Sequence, residues 1–96
     1  MSVASTIYGQ LGGRRFAVMT GAKNFVSSEN ALTFRFPKAK NKSNAMRITL
    51  NDLDLYDIEF LWVYNLKVTS REKLSNVYAE DLVSVFEDKT GFYTSL

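Results

Sequence analysis

The first apolar residues of the chain recur at a helical spacing. Val3, Ile7 and Leu11 lie four residues apart, so they share one face of a helix that begins after Ser2, a residue with the side chain of an N-cap. Two consecutive glycines, Gly12-Gly13, follow at once, and glycine is the residue that most often ends a helix. The pattern therefore predicts a short N-terminal helix.

The period changes in the next segment. Over residues 15–20, Phe16 and Val18 alternate with their neighbours, which is typical of a strand, and both faces are apolar enough for a central position in a sheet. Residues 21–30 are rich in glycine, asparagine and serine around Phe25, so they are predicted to form a loop.

Three later runs alternate apolar and polar positions and predict strands. The first run ends at Pro37, and the polar residues 38–44 are predicted to be an exposed hairpin connection to the second. A turn over residues 51–54 precedes the third run, which is predicted to continue past Asn65 as one long strand. The alternating apolar residues are Leu32, Phe34 and Phe36, then Met46, Ile48 and Leu50, and finally Ile58, Phe60, Trp62 and Tyr64.

The last apolar stripe returns to helical spacing. Leu82 and Phe86 lie four residues apart, Asn76 has the side chain of a cap, and Gly91 follows as a terminator. Together these elements predict a single α+β domain over residues 1–96. Its sheet is mainly antiparallel with four or five strands, and it carries a short N-terminal helix and a C-terminal helix packed on the sheet.

A series of segments spread over nearly the whole chain carries a family resemblance. They are Gly12-Gly13-Arg14-Arg15-Phe16, Met19-Thr20-Gly21-Ala22-Lys23-Asn24-Phe25, Leu32-Thr33-Phe34-Arg35, Arg47-Ile48-Thr49-Leu50, Tyr56-Asp57-Ile58-Glu59-Phe60 and Val77-Tyr78-Ala79 with Thr90-Gly91. In these segments the chain resembles a family of small phage and prophage proteins. The resemblance implies a phage-related origin. Because the family has no assigned activity, it implies no catalytic or binding residue.

Two missing residue types limit the chemistry. The chain has no cysteine and no histidine, which excludes disulfides, thiolate metal sites and mechanisms that need a cysteine nucleophile or an imidazole base. We therefore expect a non-enzymatic protein without a cofactor. The first residues lack the pattern of a secretion signal, and no stretch approaches the ~20 apolar residues of a membrane span. The expected location is the cytoplasm of a host cell, with no membrane partner.

The segment Thr20-Gly21-Ala22-Lys23-Asn24-Phe25 is a first candidate ligand site. A glycine and a lysine after a strand are typical of a phosphate cradle. The Walker pattern is missing, however, because Ala22 separates Gly21 from Lys23. A structural turn is the favoured interpretation.

An acidic group is a second candidate site. Carboxylate oxygens are the ligands that hard cations require, but the spacing of this group does not match a calcium loop. Pairing across strands with Arg35 and Arg47 is favoured for the two acids that lie in the third run. The members of the group are Asp52, Asp54, Asp57 and Glu59.

Basic residues suggest the favoured function. The net charge is only +2, but positive grooves with aromatic stacking platforms are typical of proteins that bind single-stranded nucleic acid. Trp62 and Tyr64 alternate in phase with Ile58 and Phe60, which favours a place in the core for both aromatic residues. We expect binding of nucleic acid, single-stranded or through its backbone, at the densest basic positions. These are Arg14, Arg15, Lys23, Lys38, Lys40 and Lys42.

The competing hypothesis is a stoichiometric inhibitor of a host defence complex, of the anti-CRISPR or anti-restriction type. Such a protein needs only a surface of about 800 Å² with a few anchors. Its partner would be a host protein or ribonucleoprotein complex. A structural role, including a homodimer that pairs exposed sheet edges, is a third hypothesis. A metal-dependent nuclease is the least favoured.

Overall fold

Within residues 2–94, the range that the computed structural model of the protein describes, three α-helices and five β-strands follow one another. The predicted α+β class is confirmed. In chain order the elements are α1 (Val3–Leu11), α2 (Gly13–Thr20), β1 (Lys23–Ser27), β2 (Ala31–Arg35), β3 (Ala45–Leu50), β4 (Tyr56–Tyr64), β5 (Lys67–Val77), a single 3-10 turn (Ala79–Asp81) and α3 (Leu82–Thr90).

Each strand pairs antiparallel with the next one in the chain, so the sheet order β1-β2-β3-β4-β5 repeats the chain order. The register places Phe34, Met46 and Phe60 side by side on the three central strands, and all three side chains are buried. On the opposite face of the same strands, Arg47 is exposed and Glu59 is half-buried. The sheet therefore has one face toward the core and one toward solvent.

Aromatic rings join the helices to the sheet. The ring centroid of Phe86 on α3 lies 4.9 Å from that of Phe16 on α2 and 5.5 Å from that of Phe36, which follows β2. Phe16 also meets Phe34 of β2 edge to face at 5.5 Å. Edge-to-face pairs at such distances are favourable beyond the area they bury. The predicted packing of the C-terminal helix on the sheet is confirmed.

The N-terminal helix is the one that the spacing predicted. The Ser5 N–H donates to the Oγ of Ser2 at 3.1 Å, which is an N-cap bond. Ile7 and Leu11 are buried on one face. The helix ends at Gly12, whose φ of 118° lies in the left-handed region that glycine adopts without strain.

Residues 15–20 are helical, and the prediction of a central strand there is wrong. Phe16 and Thr20, four residues apart, are buried on one face of α2, whereas Val18 is 72% exposed. Only two side chains of α2 are buried. Two buried positions four residues apart fit both a strand and a helix, so alternation over this short segment does not distinguish the two. The Oγ1 of Thr20 donates to the carbonyl of Phe16 at 2.7 Å, and Gly21 ends the helix with a φ of 74°.

The segment predicted as a loop contains the edge strand β1. Its pairing with β2 is irregular near Asn24, which has a φ of 56°. Phe25 supplies most of its contact with the core, since its ring lies 5.0 Å from that of Tyr8 and 5.2 Å from that of Phe34. An edge strand that contacts the core through one side chain needs few apolar residues, so its composition resembles that of a loop.

The long strand predicted through Asn65 is in fact two strands. The chain reverses at Asn65 and Leu66, with φ values of 48° and 65°, and Tyr64 of β4 lies opposite Lys67 of β5. Positive φ at both central residues is the signature of a type I′ turn, for which Asn-Gly is the usual sequence. Leucine in the glycine position hides that signal.

The C-terminal helix begins later than predicted, and Asn76 is not its cap. Asn76 lies in β5, where its Oδ1 accepts a hydrogen bond from the side chain of Asn51 at 2.8 Å. The 3-10 turn then leads into α3, which ends at Gly91 as predicted. Among residues 2–94, none of the helices has the length and apolar character that crossing a membrane requires.

Candidate nucleic-acid interface

The turns and connections at the two ends of the sheet carry opposite charges. Because the strands are antiparallel neighbours, the β1–β2 and β3–β4 turns lie at one end, with Glu29, Asp52 and Asp54. We call this the acidic end. The opposite end, where β2 connects to β3 and β4 connects to β5, is the basic end. Its strand ends and connections carry Lys23, Arg35, Lys38, Lys40, Lys42 and Lys67, and Arg71 lies further along β5.

The connection between β2 and β3 presents its lysines through a compact turn. The Ala39 N–H donates to the carbonyl of Ser43 at 2.8 Å, and the Lys42 N–H donates to that of Ala39 at 2.9 Å. Ala39 and Ser43 are buried, so the prediction of an exposed connection is wrong for these two residues. Lys38, Lys40 and Lys42 are exposed, as that prediction requires.

Trp62 stands between two grooves at the basic end. The larger groove, of about 370 Å³, has Lys23 and Arg35 on one wall and Lys38 with Trp62 on another. The Nζ of Lys38 lies 5.9 Å from the centroid of the Trp62 ring, within the range of a cation–π contact. In the part of the chain that the structure describes, neither groove has an acidic residue in its lining. The smaller groove, of about 160 Å³, is lined by Lys38, Lys42, Trp62 and Arg71.

Trp62 and Tyr64 continue the inward side of β4 past the part of the strand that the core covers. Ile58 and Phe60, earlier on that side, are buried, whereas Trp62 is half-buried and Tyr64 is 63% exposed. The prediction that alternation puts both aromatic residues in the core is therefore wrong. Residues two apart on a strand are separated by about 6.6–6.8 Å, so the two rings form a short aromatic row.

The side chain of Asn44, the residue before β3, binds β4. Its Nδ2 donates to the carbonyl of Val63 at 2.9 Å, and its Oδ1 accepts from the Val63 N–H at 2.8 Å. The amide thus takes the place of a backbone partner. Past Val63, β4 pairs only with β5, so the two strands leave the sheet as a two-stranded ribbon.

The structure brings together three of the six predicted binding residues. Lys23, Lys38 and Lys42 line the two grooves beside Trp62. Lys40 lies apart from them, because its N–H donates to the carbonyl of Thr90 at 3.2 Å and its aliphatic stem lies against the end of α3. Its position serves the contact between the connection and the helix.

Arg14 and Arg15 do not join the site. Both are exposed on the first turn of α2, and neither lines a groove beside Trp62. The prediction grouped them with the lysines because all were dense in sequence. Since residues 15–20 form a helix, the two arginines are carried away from the lysine-bearing connection.

Arg35, Arg71 and the two aromatic residues were missed as members of the site. Arg35 was expected to pair with an acid, but it lies opposite Lys23 on β1. Arg71 falls at an irregularity in the β4–β5 pairing, where Phe60 faces Glu72 and the next residue of β4 faces Ser70. Local sequence does not identify these positions, because it is the order of the strands in the sheet that brings Arg35 and Arg71 close to Trp62.

The backbone N–H groups of the turn between α2 and β1 are engaged in hydrogen bonds within this segment. The Gly21 N–H donates to the carbonyl of Ala17 at 3.0 Å, and the Ala22 N–H donates to the Oγ1 of Thr20 at 3.3 Å. A phosphate cradle needs free N–H groups that converge on one point. The bonds support the structural interpretation of this segment.

The acidic group is dispersed among ordinary partners. Glu59 lies 3.4 Å from Arg47, which confirms that cross-strand pair. Asp57 instead accepts hydrogen bonds from the Asn51 side chain at 3.0 Å and the Asn76 N–H at 3.2 Å, so its predicted pairing with an arginine is wrong. Within the described range, no three acidic side chains are grouped to hold a metal ion.

Comparison of the chain with models of protein families, with curated proteins and with solved structures finds no match. The resemblance to phage proteins stays a prediction.

Proposed function

We propose that this chain is a non-enzymatic, phage-type binding protein that acts in the cytoplasm of a host cell and binds single-stranded nucleic acid at its basic end. One observation carries the proposal. Trp62 and Tyr64 form an aromatic row on β4 that the core leaves uncovered, with basic residues and no acidic residue lining the adjoining grooves. Single-strand binders combine such stacking platforms with cations that follow the phosphates.

The spacing of the row suits two bases of an extended strand. Every base has an aromatic face, so stacking on Trp62 and Tyr64 would be tolerant of sequence. Lys38, which now lies over the Trp62 ring, would turn its ammonium toward a phosphate when a base takes that place. Lys23 and Arg35 on the far wall of the larger groove would contact the adjacent phosphate.

The segregation of charge adds a long-range contribution. A net charge of +2 is too small to attract a polyanion strongly by itself. The basic end gathers lysines and arginines on one surface, away from the acids in the turns at the opposite end. Such a field orients an approaching nucleic acid before contact and raises the association rate at low salt.

The test is the salt dependence of binding to a fluorescently labelled single strand, measured by anisotropy. Each phosphate neutralised on a single strand contributes about −0.7 to the slope of log affinity against log salt. Replacing Lys38, Lys42 and Arg71 by alanine should therefore flatten the slope by about two. Trp62→Ala should weaken binding about 5- to 150-fold, the range expected for one stacked base.

The matched control is the triple replacement of Arg14, Arg15 and Lys73 by alanine, which removes the same charge outside the grooves. It should leave the slope nearly unchanged. Equal flattening by both triple variants would contradict a localised site. A failure of the wild type to bind a single strand or a duplex at roughly 50 mM salt would contradict the proposal and favour the inhibitor of a host defence complex.

A further inference from the structure

The β4–β5 ribbon ends in an apolar knob that no other part of the described chain covers. Leu66, in the two-residue turn, is fully exposed, and Val68 beside it is 59% exposed. The ribbon carries them beyond the last pairing of β3, Ala45 with Leu61. A fully exposed leucine has no packing role within the described chain.

The backbone of the knob departs from what leucine prefers. Leu66 has a φ of 65°, in the left-handed region that glycine and asparagine adopt and that leucine rarely does. The position thus exposes an apolar side chain and holds it in an unfavourable conformation. A residue that is held in an unfavourable backbone conformation and contributes no packing is a candidate for function.

An apolar groove with an acidic rim lies on the same molecule, between the second half of β5 and α3. It has a volume of about 450 Å³, and Leu74, Val77 and Val85 supply apolar lining. Asp81 and Asp88 stand on its rim and are exposed. The lysine in this groove, Lys89, is already paired with Glu72 at 2.7 Å.

The knob and the groove are both apolar, and the charged residues beside them have opposite signs. Lys67 and Arg71 flank the knob, as Asp81 and Asp88 flank the groove. They cannot meet within one molecule, because Leu66 and Leu74 lie eight residues apart along the same ribbon and strand, or about 26 Å in extended chain.

We infer that the protein associates head to tail, with the Leu66 knob of one copy seated in the β5–α3 groove of the next. Because two different surfaces meet, the contact repeats, and it yields rings if the rotation closes and open chains if it does not. The contact is small, so it is weak and depends on concentration. The inference does not rest on the proposed binding of nucleic acid, although Arg71 belongs to both surfaces.

The test measures the molar mass of nuclease-treated protein by light scattering. The dilution series begins at about 1 mM, so that dissociation constants in the millimolar range are detected. The mass should rise above the 10.9 kDa of one chain, to more than two chains. Leu66→Gly removes the knob without straining the turn. Ser84→Lys with Asp88→Lys fills the groove and reverses its charge at exposed helix positions. Each variant alone should stay monomeric.

A mixture of the two variants is decisive, because it contains one intact knob and one intact groove. It should form dimers and nothing larger. As a control, Leu53→Gly, at an exposed leucine of the β3–β4 turn, should associate like the wild type. A wild type that stays monomeric throughout, that stops at a dimer, or that associates only with added oligonucleotide would overturn the inference. So would a mixture of the variants that stays monomeric.

Discussion

The two halves of β4 follow the same alternation but have different environments. Tyr56, Ile58 and Phe60 in the first half are buried, whereas Trp62 and Tyr64, on the same side of the second half, reach solvent. The buried core therefore covers the inward side of the first half only. Alternation therefore tells which side of a strand a residue occupies, and only the tertiary structure tells whether that side is covered.

The largest loss of stability should come from truncating a side chain that packs a helix onto the sheet. Phe86 of α3 is fully buried among Phe16, Phe34 and Phe36. Phe86→Ala should lower the free energy of unfolding by about 3–5 kcal/mol, since it removes a buried ring and leaves a cavity. Urea unfolding measures the loss. If the variant does not fold, Phe86→Leu gives a smaller loss on the same scale, and an unchanged midpoint for either variant would show that α3 is peripheral.

A smaller effect is expected in the uncovered half of the strand. Trp62 is half-buried, so Trp62→Ala should lower the free energy of unfolding by only about 1–2 kcal/mol, even though it removes a larger ring. Phe60→Ala, two residues earlier, should cost about as much as Phe86→Ala. The same urea titrations compare them. Equal losses for Trp62→Ala and Phe60→Ala would mean that the two halves are not different.

A substitution in the turn after the uncovered half should raise the free energy of unfolding instead of lowering it. Leu66→Gly relieves a left-handed leucine and should raise the free energy of unfolding by about 0.5–1 kcal/mol after the entropy cost of glycine. That gain corresponds to a rise of about 2–6 °C in the melting temperature. Leu53→Gly, where the backbone needs no glycine, should show no gain. A lower melting temperature for Leu66→Gly would contradict strain at the turn.

The smallest effect concerns the ion pair that ties α3 to β5. The hydrogen bond and the negative charge of Glu72 raise the pKa of Lys89 above its ordinary value of 10.5. The stabilisation by this pair is therefore complete below that ordinary value and is lost as the pH rises through the raised pKa. The difference in melting temperature between the wild type and Glu72→Gln should thus be constant near neutrality and vanish at strongly alkaline pH.

Tyrosine ionisation does not disturb that comparison. Burial raises the pKa of Tyr56, an effect that its hydrogen bond to Gln10 partly offsets. Its ionisation at high pH therefore lowers stability equally in the wild type and in Glu72→Gln. A difference between the two proteins that grows with alkaline pH would contradict the assigned role of the ion pair.

The sequence contained a signal for the helix that alternation missed. Phe16 is followed four residues later by Thr20-Gly21, as Phe86 is followed by Thr90-Gly91. In both helices the phenylalanine is buried, the threonine Oγ1 donates to its carbonyl at 2.7 and 2.6 Å, and the glycine ends the helix. The second copy was predicted as a helix end. Matching it to the first would have corrected the strand predicted over residues 15–20.

Other features could not be derived from local sequence. β1 exists because β2 offers it a partner, and the reversal at Leu66 has a leucine where glycine is usual. For the candidate site, the predicted residues Lys38 and Lys42 could be chosen by local density. Trp62 and Arg71 needed the strand order and the limits of the helical cover, which depend on contacts between distant segments.

The agreement between sheet order and chain order bears on how this molecule tolerates change. Within residues 2–94, no connection crosses the sheet, and both ends of the sheet consist of hairpin turns and short links. An insertion in such a link adds only a small closure entropy, which grows slowly with length, and leaves every strand opposite its present neighbour. The β4–β5 turn, which contacts no other part of the described core, can therefore change in length while the phenylalanine core beneath the helices keeps its register.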